Sequence, residues 1–159
     1  MAEGTEEFRL RSAKAADSPA IRELVFGILA EFGLSPDPAG IDQDLDDVVV
    51  SYIAPGGMFA VLESTAGTIE GCVGIFHLDD EQCELRKMYL RTSARHKGQG
   101  RRLLEHAIQF ARDANFNEIV LETNSVLKVA IEMYERYGFT KTAGDSHVSR
   151  CDTTYSLRI

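Results

Sequence analysis

Two spacings of apolar residues alternate along this chain, one typical of strands and one typical of helices. Where apolar and polar residues alternate, or where a short apolar run stands between turn residues, the pattern predicts strands. Residues 119–121, Ile-Val-Leu, form such a run and predict a strand that is buried on both faces. The second and third strands are separated by Ala66 and Gly67, which indicates a hairpin and antiparallel pairing. The predicted strands are 8–14, 58–63, 69–78, 82–91, 119–121, 139–142 and 149–157.

Four other stretches carry apolar residues three and four positions apart, as one face of a helix does. The first is bounded by Asp17 and Pro19, a capping residue and a first-turn proline, and by Gly33 as a stop. The second stripe is weaker than the others and precedes a Pro-Gly-Gly turn. The predicted helices run from Asp17 to Gly33, from Leu45 to Tyr52, from the loop at 95–100 to Asn115, and from Ser125 to Gly138.

The strand at 82–91 changes its apolar positions partway. They are odd-numbered up to Leu85 and even-numbered from Met88 onward. Since side chains alternate between the two faces of a strand, one extra residue near Arg86 and Lys87 would account for the change. The pattern therefore indicates either a β-bulge or an edge strand with mixed faces.

The composition suits a single domain over residues 1–159. With 44% apolar residues in a chain of 159, a sizeable core can form. No apolar run approaches the length of a membrane span and the start of the chain is acidic, so we expect a cytoplasmic protein that binds no membrane. Three cysteines without a Cys-x-x-Cys pair and four histidines without ligand spacing suggest neither a disulfide framework nor a metal site.

Charge divides the chain into an acidic part and a short basic part. The net charge of −8 argues against binding to nucleic acid, whose phosphates are held by clustered Lys and Arg. No Lys or Arg occurs between Glu23 and Leu85, whereas residues 86–102 contain seven and no acid. A polyanionic cofactor on the basic segment and a cationic substrate near the acidic part fit this division. Acids that serve only solubility fit it as well.

Residues 95–100, Arg-His-Lys-Gly-Gln-Gly, lie between a predicted strand and a predicted helix. Gly98 and Gly100 allow backbone conformations in which successive N–H groups converge on one ligand. The helix that follows adds unpaired N–H groups and its dipole, so the junction is a candidate phosphate site. A tight turn with a solvated basic face has the same local pattern. The Walker-type phosphate loop and the three-glycine Rossmann pattern are both absent, so the ligand needs another identity.

The second half of the chain has a distinctive order of elements. A strand is followed by an Arg-x-x-Gly-x-Gly loop, a helix, a buried strand, and a helix that ends in Tyr-Glu-Arg-Tyr-Gly-Phe at residues 134–139. Together these elements resemble the GCN5-related N-acetyltransferase (GNAT) superfamily, most strongly from Glu84 to Phe139. The resemblance implies an α/β (α+β) fold in which a mixed, mostly antiparallel central sheet with a splayed parallel strand pair is flanked by four helices. It also implies acetyl-coenzyme A (acetyl-CoA) as the cofactor.

The resemblance assigns cofactor contacts residue by residue. Residues 95–100, with Arg101 opening the helix, match the loop that binds the CoA diphosphate through backbone N–H groups. Met88 and Leu90 match positions whose backbones hold the pantetheine arm, and the N–H of Met88 matches the donor that polarises the thioester carbonyl. The implied cofactor-binding residues are Met88, Tyr89, Leu90, Arg95, His96, Lys97, Gly98, Gln99, Gly100 and Arg101.

Two residues match catalytic positions of the family. Because an amine is mostly protonated at neutral pH, a base must take its proton before it attacks the thioester. Glu84 matches the position of that base in some members; the alternative is a carboxylate paired with Arg86 and a water chain as the base. Tyr134 matches the tyrosine that serves the departing thiolate, with Tyr137 or a purely packing role for Tyr134 as alternatives.

One position departs from the family pattern. Many members carry, seven residues before that tyrosine, an Asn that hydrogen-bonds the pantetheine, and here this position is Leu127. Asn124 lies one turn earlier and is a candidate replacement that the sequence does not assign.

The expected activity is transfer of an acetyl group from acetyl-CoA to a primary amine of a small molecule, amino acid or peptide, by direct attack in a ternary complex. The rival hypothesis is a noncatalytic acyl-CoA sensor or protein-interaction module on the same fold. The sequence names neither the acceptor nor the oligomeric state, and it leaves a homodimer open. We expect acceptor selectivity to come from the loops at 33–57 and 77–82 and from the closing strands.

Overall fold

The computed structural model describes residues 7–159, so residues 1–6 of the expected domain lie outside the described part. The chain forms one seven-stranded sheet flanked by three α-helices. The strands are β1 (Phe8–Ser12), β2 (Met58–Ser64), β3 (Ile69–His77), β4 (Gln82–Leu90), β5 (Glu118–Thr123), β6 (Thr140–Lys141) and β7 (Thr153–Arg158). The helices are α1 (Ser18–Glu31), α2 (Gln99–Asp113) and α3 (Lys128–Arg136).

The sheet is antiparallel except at one pair of neighbours. Its strand order is β1-β2-β3-β4-β5-β7-β6, and only β4 and β5 run parallel. Their pairing ends at Glu84 and Val120, so residues 85–90 of β4 have no ladder partner on β5. The predicted mixed, mostly antiparallel sheet with a splayed parallel pair is confirmed.

The change of apolar positions in β4 comes from a β-bulge, as one of the two interpretations predicted. On β3, Cys72 pairs with Tyr89 and Gly74 pairs with Arg86. Two residues of β4, Lys87 and Met88, therefore stand opposite the single residue between Cys72 and Gly74. Lys87 has a φ of +56°, which lies in the left-handed region.

Each face of the sheet carries its own core. On one face, residues such as Leu85, Ile119 and Leu121 pack with apolar side chains of α2 and α3. On the other face, Phe59, Cys72 and others pack with the apolar stripe of α1. The bulge determines which side chains at the end of β4 point to each face of the sheet. Met88 and Leu90 pack against the α2–α3 core, and Tyr89 packs against the α1 core.

The second predicted helix is wrong. Residues 41–46 form a 3-10 segment, and residues 49–53 form a single π-helical turn. The apolar stripe is nevertheless buried, with Leu45 and Tyr52 at most 1% exposed. An irregular backbone is favoured here because Asp42 also turns inward and is 1% exposed. The fold therefore has three flanking α-helices among the described residues, not four.

Residues 7–159 contain neither a membrane-spanning helix nor a cluster of metal-binding side chains. No helix in this part of the chain is long and apolar enough to cross a membrane. Nor does this part hold a group of three or more His, Cys, Asp and Glu side chains placed to bind a metal ion. Cys72 and Cys83 are buried free thiols, and Cys151 is a half-buried free thiol.

Candidate active site

The splayed ends of β4 and β5 open into a cleft of about 570 Å³. The beginning of α2 and one face of α3 form further parts of its wall. The structure brings together nearly all the residues assigned from the sequence, and Lys97 alone of them is outside the lining. The assigned residues that line the cleft are Glu84, Met88, Tyr89, Leu90, Arg95, His96, Gly98, Gln99, Gly100, Arg101 and Tyr134.

The loop before α2 presents backbone donors. His96 and Gly98 have φ angles of +61° and +76°, so the chain turns twice through the left-handed region before the helix begins. Gly98 is the N-cap of α2, and Gln99, Gly100 and Arg101 form its first turn, where a helix leaves its backbone N–H groups without intrahelical acceptors. Neighbouring donors of this kind at a helix N-terminus form an anion site. This geometry fits a diphosphate.

The two glycines of the loop serve different purposes. A Cβ on Gly98 would meet nothing within 4 Å, so glycine is needed there for its backbone angle. A Cβ on Gly100 would lie 3.0 Å from Cε of Met133 and 3.3 Å from Cδ1 of Leu90. Glycine at position 100 therefore lets α2 begin close to the cleft wall.

Two basic side chains of the assigned set are engaged by carboxylates. The Arg95 guanidinium donates to the Glu31 carboxylate at 2.5 and 3.0 Å, and its Nε donates to the carbonyl oxygen of Leu90 at 2.9 Å. Arg101 donates to Glu105 one helical turn away, at 3.2 Å. Arg95 thus links the loop to the end of α1.

Glu84 combines both interpretations that the sequence left open. Its carboxylate accepts a hydrogen bond from Nε of Arg86, as the surface-pair interpretation expects. It also lines the cleft, as a base must. Arg86 is itself held in place, because its guanidinium lies 3.8 Å from the ring centroid of Phe76. The Arg86 guanidinium therefore fixes the orientation of the Glu84 carboxylate.

Tyr134 reaches the cleft from α3. It is 5% exposed and its ring centroid lies 5.7 Å from that of Phe139. Burial, with a smaller contribution from Tyr89, raises the pKa of Tyr134 above its usual 10, so the hydroxyl is protonated at neutral pH and can donate. By contrast, the hydroxyl of Tyr137 donates to Glu105, and Tyr137 does not line the cleft. The geometry favours Tyr134 over Tyr137.

The candidate replacement for the missing family Asn is already engaged. The Asn124 side chain donates to the carbonyl oxygen of Arg150 at 2.7 Å and accepts from the N–H of Val126 at 2.9 Å. Leu127 lines the cleft as an apolar wall. Asn124 therefore shapes the turn before α3 with both of its polar atoms.

A buried charge network beside the cleft was not predicted from the sequence, and two of its members, Lys87 and Arg150, are among the residues that line the cleft. Lys87 Nζ lies 2.7 Å from Asp42 Oδ1 and 3.5 Å from Asp44 Oδ1. Arg150 donates to both oxygens of Asp42, at 2.5 and 2.8 Å. Burial alone would raise the pKa of Asp42, but hydrogen bonds from Arg150, from the N–H of Asp37 and from Lys87 hold it far below 3.8. Two acids of the acidic part of the chain, Asp42 and Asp44, are thus internal partners of cations.

Part of the cleft lining is apolar and includes Phe32, Leu34, Ile41 and Val148. Phe32 lies beside the glycine loop, with its ring centroid 5.4 Å from the Arg95 guanidinium. The loop at 33–57 and the segment before β7 contribute to the lining, whereas residues 77–82 do not. Glu122 is the other carboxylate in the lining, and it accepts the backbone N–H of His147.

The comparisons with known proteins agree with this geometry. Residues 28–139 match the sequence model of the Acetyltransferase (GNAT) family. An uncharacterised N-acetyltransferase of Escherichia coli, YjgM, is 36% identical over 135 residues, which are 82% of this chain and 80% of that protein. The chain spans only about half the length of mammalian relatives such as human N-acetyltransferase 8B, of which it covers 46%.

Solved structures share the fold over nearly the whole chain. A GNAT acetyltransferase from Staphylococcus aureus has a TM-score of 0.88 at 21% identity and covers 96% of this chain and 99% of its own. The acetyltransferase yncA from Salmonella typhimurium, solved with acetyl-CoA, has a TM-score of 0.74 at 22% identity and covers 95% and 93% of the two chains. This chain belongs to the GNAT acetyltransferase family, which confirms the resemblance seen in its motifs.

Proposed function

We propose that the protein is an N-acetyltransferase that moves the acetyl group of acetyl-CoA to a primary amine. The observation that carries the proposal is the glycine loop at the N-terminus of α2, whose residues 96 and 98–101 line the same cleft as Tyr134 and Glu84. In a member of the GNAT family, this arrangement supports an anion site beside candidate acid and base groups.

The residues present fit acetyl-CoA. The loop around Gly98 would hold the diphosphate through backbone donors, and no Cβ obstructs that position. The unpaired edge of β4 at residues 85–90 would face the pantetheine arm, with Met88 and Leu90 in the cleft wall. The acetyl group would then lie near the β4 bulge.

The chemistry asks for three contributions from the protein. Acetyl-CoA supplies an acetyl thioester whose carbonyl carbon accepts the amine nitrogen while its carbon–sulfur bond breaks. Glu84 takes a proton from the amine, whose free pKa is about 10, directly or through water. The N–H of Met88 donates to the carbonyl oxygen as negative charge develops on it. The Tyr134 hydroxyl donates to the departing sulfur, and its raised pKa keeps it protonated for that role.

The apolar lining of the cleft supports an amine joined to an apolar group. Leu34, Ile41 and Val148 offer apolar contact to such a group. The acids at 42 and 44, which were candidates for attracting a cationic substrate, are paired with internal cations. A polyamine with several charges is therefore a poorer match than a monoamine with an apolar body.

The test is release of free thiol from acetyl-CoA in the presence of a panel of amines, with cofactor affinity measured by calorimetry. The panel comprises apolar and charged amino acids, arylalkylamines, polyamines and short peptides. We expect release above the rate without amine for at least one apolar monoamine. Tight cofactor binding with no release from any acceptor would support a noncatalytic acyl-CoA sensor and contradict the proposal.

A further inference from the structure

Lys87, at the bulge of β4, has both an unfavourable backbone angle and a buried charge. Its φ of +56° lies in the left-handed region, which residues with a Cβ disfavour. Its side chain is only 3% exposed, so a charged ammonium is removed from water. Such strain persists when surrounding contacts enforce it, and it concentrates at functional sites. The next residue along the chain is Met88.

The ammonium of Lys87 is fixed by partners from distant parts of the chain. Nζ lies 2.7 Å from Asp42 Oδ1, and the Asp42 side chain is fully buried. Arg150 holds the same carboxylate at both oxygens, and the N–H of Asp37 donates to it at 2.8 Å. The carboxylate therefore has one orientation, and this fixes where the Lys87 side chain ends.

The carbonyl group of Lys87 is held as well. Its oxygen accepts a hydrogen bond from the Cys72 thiol at 3.1 Å, and burial raises the pKa of that thiol to about 12, so it remains a donor. Among residues 7–159 there is no cis peptide bond, and in a trans peptide the C=O and the following N–H point in opposite directions. The Cys72 hydrogen bond therefore also fixes the direction of the Met88 N–H, which is opposite to the Cys72 sulfur. Met88 lines the cleft in the part of β4 that has no ladder partner on β5.

We propose that Lys87 is a positioning residue for the oxyanion donor. Its ion pair with Asp42, together with the Cys72 hydrogen bond, holds the peptide group between residues 87 and 88 so that the Met88 N–H faces the thioester carbonyl. The proposal rests on the proposed function for the role of that N–H. It extends that function to Lys87, whose ammonium is held by Asp42 away from solvent.

The test uses Lys87→Met, which keeps much of the aliphatic chain and removes the ammonium. Infrared spectroscopy of bound acetyl-CoA carrying ¹³C at the acetyl carbonyl reports the hydrogen bond to that oxygen, and needs no acceptor amine. Calorimetry with CoA reports cofactor affinity. Arg11→Met is the matched control, because Arg11 also loses a pair of carboxylate contacts, with Asp17 and Glu63 at 2.8 Å each, but lies outside the cleft.

We expect the carbonyl band of the wild-type complex to lie below that of acetyl-CoA in water, and the band of the Lys87→Met complex to move back toward it. Cofactor affinity should stay within about threefold, because the loop at 96–101 is unchanged, and kcat should fall about 10-fold or more while the KM for acetyl-CoA stays near its wild-type value. The Arg11→Met control should keep the wild-type band and kcat. If Lys87→Met fails to fold, Asp42→Asn removes the same ion pair and should move the band in the same direction.

A carbonyl band that stays at the wild-type position in both Lys87→Met and Asp42→Asn would overturn the positioning role. A shift of equal size in Arg11→Met would overturn it too, since the effect would then follow from general destabilisation. Failure of the proposed function has a different signature, because the wild-type protein would bind acetyl-CoA and transfer nothing while the band still reports the hydrogen bond.

Discussion

The Glu84 carboxylate accepts a hydrogen bond from the Arg86 guanidinium two positions along β4, and both side chains line the cleft. Alternate residues of a strand share a face, so the two side chains lie on the same face of the sheet. The guanidinium is stacked on Phe76, and the carboxylate is consequently held in one orientation. Under the proposed function, a base held in this way would lose little entropy when an amine arrives.

Replacement of this carboxylate tests its role as a base. Glu84→Gln keeps the size of the side chain and removes its ability to take a proton, so kcat should fall by about 100-fold with little change in CoA affinity. Thiol release under saturating acetyl-CoA measures the effect. Glu118→Gln is the control, since Glu118 on β5 binds Gln82 and lies outside the cleft. A Glu84→Gln enzyme with wild-type kcat would leave water or Glu122 as the base.

Tyr134→Phe removes one hydroxyl and keeps the ring that packs near Phe139. We expect kcat to fall about 10- to 100-fold, because the departing sulfur loses its donor, while the calorimetric affinity for CoA changes little. Tyr137→Phe is the matched control, because its hydroxyl binds Glu105 outside the cleft. Equal turnover in the two variants would remove Tyr134 from the mechanism.

Gly98→Asp tests the anion site. The substitution puts a side chain and a negative charge beside the unpaired N–H groups, so CoA affinity should fall at least about 100-fold. Gly67→Asp is the control, because Gly67 also has a positive φ, +82°, and also has nothing within 4 Å of its Cβ position, but it lies in the β2–β3 hairpin. Unchanged CoA affinity in Gly98→Asp, measured by calorimetry, would contradict the phosphate assignment.

Asp42→Asn tests the buried network through its pH dependence. The pKa of Asp42 is lower in the folded protein than the usual 3.8, so its ionised form stabilises the fold above pH 4, and this contribution is lost as the pH falls through 3.8 and below. At pH 7 the substitution should lower the free energy of unfolding by about 3 kcal/mol, because it removes the carboxylate that pairs with Arg150 and the nearer of the two that pair with Lys87. Urea unfolding of both proteins between pH 2.5 and pH 7 measures the difference.

That difference should shrink as the pH falls below 4, since the unfolded wild type then binds a proton at Asp42 that the folded protein, with its lowered pKa, does not. Comparing the two proteins at each pH cancels the titration of the other acids. A difference that stays constant from pH 7 to pH 2.5 would show that the Asp42 charge does not stabilise the fold.

Local patterns in the sequence predicted much of the fold. The change of apolar positions between Leu85 and Met88 marks the bulge because strand faces alternate with a period of two. Gly98 marks the turn before α2 because it permits a positive φ, and Gly100 marks the close approach of α2 to Leu90 and Met133. The stripe from Leu45 to Tyr52 identified buried residues and misjudged their backbone, since spacing alone does not separate a regular helix from irregular turns that bury the same side chains.

Local patterns in the sequence did not predict the charge network around Asp42. Asp42, Lys87 and Arg150 are separated by 45 and 63 positions, and nothing near any of them in the sequence points to the other two. Arg95 and Glu31 are joined in the same way across 64 positions. Pairs of this kind form only when the sheet and helices have brought distant segments together, so the partners of a charged residue depend on the tertiary fold.

Transfer of an acetyl group to nitrogen is tested most directly by following the acetyl carbon itself. The protein is mixed with ¹³C-acetyl-CoA and the amine panel, and the products are read by carbon NMR. We expect the labelled carbonyl to move from thioester to amide with at least one apolar monoamine, and Tyr134→Phe to slow this change. Label that remains in the thioester with every amine, while acetyl-CoA binds the cleft, would contradict the proposed function.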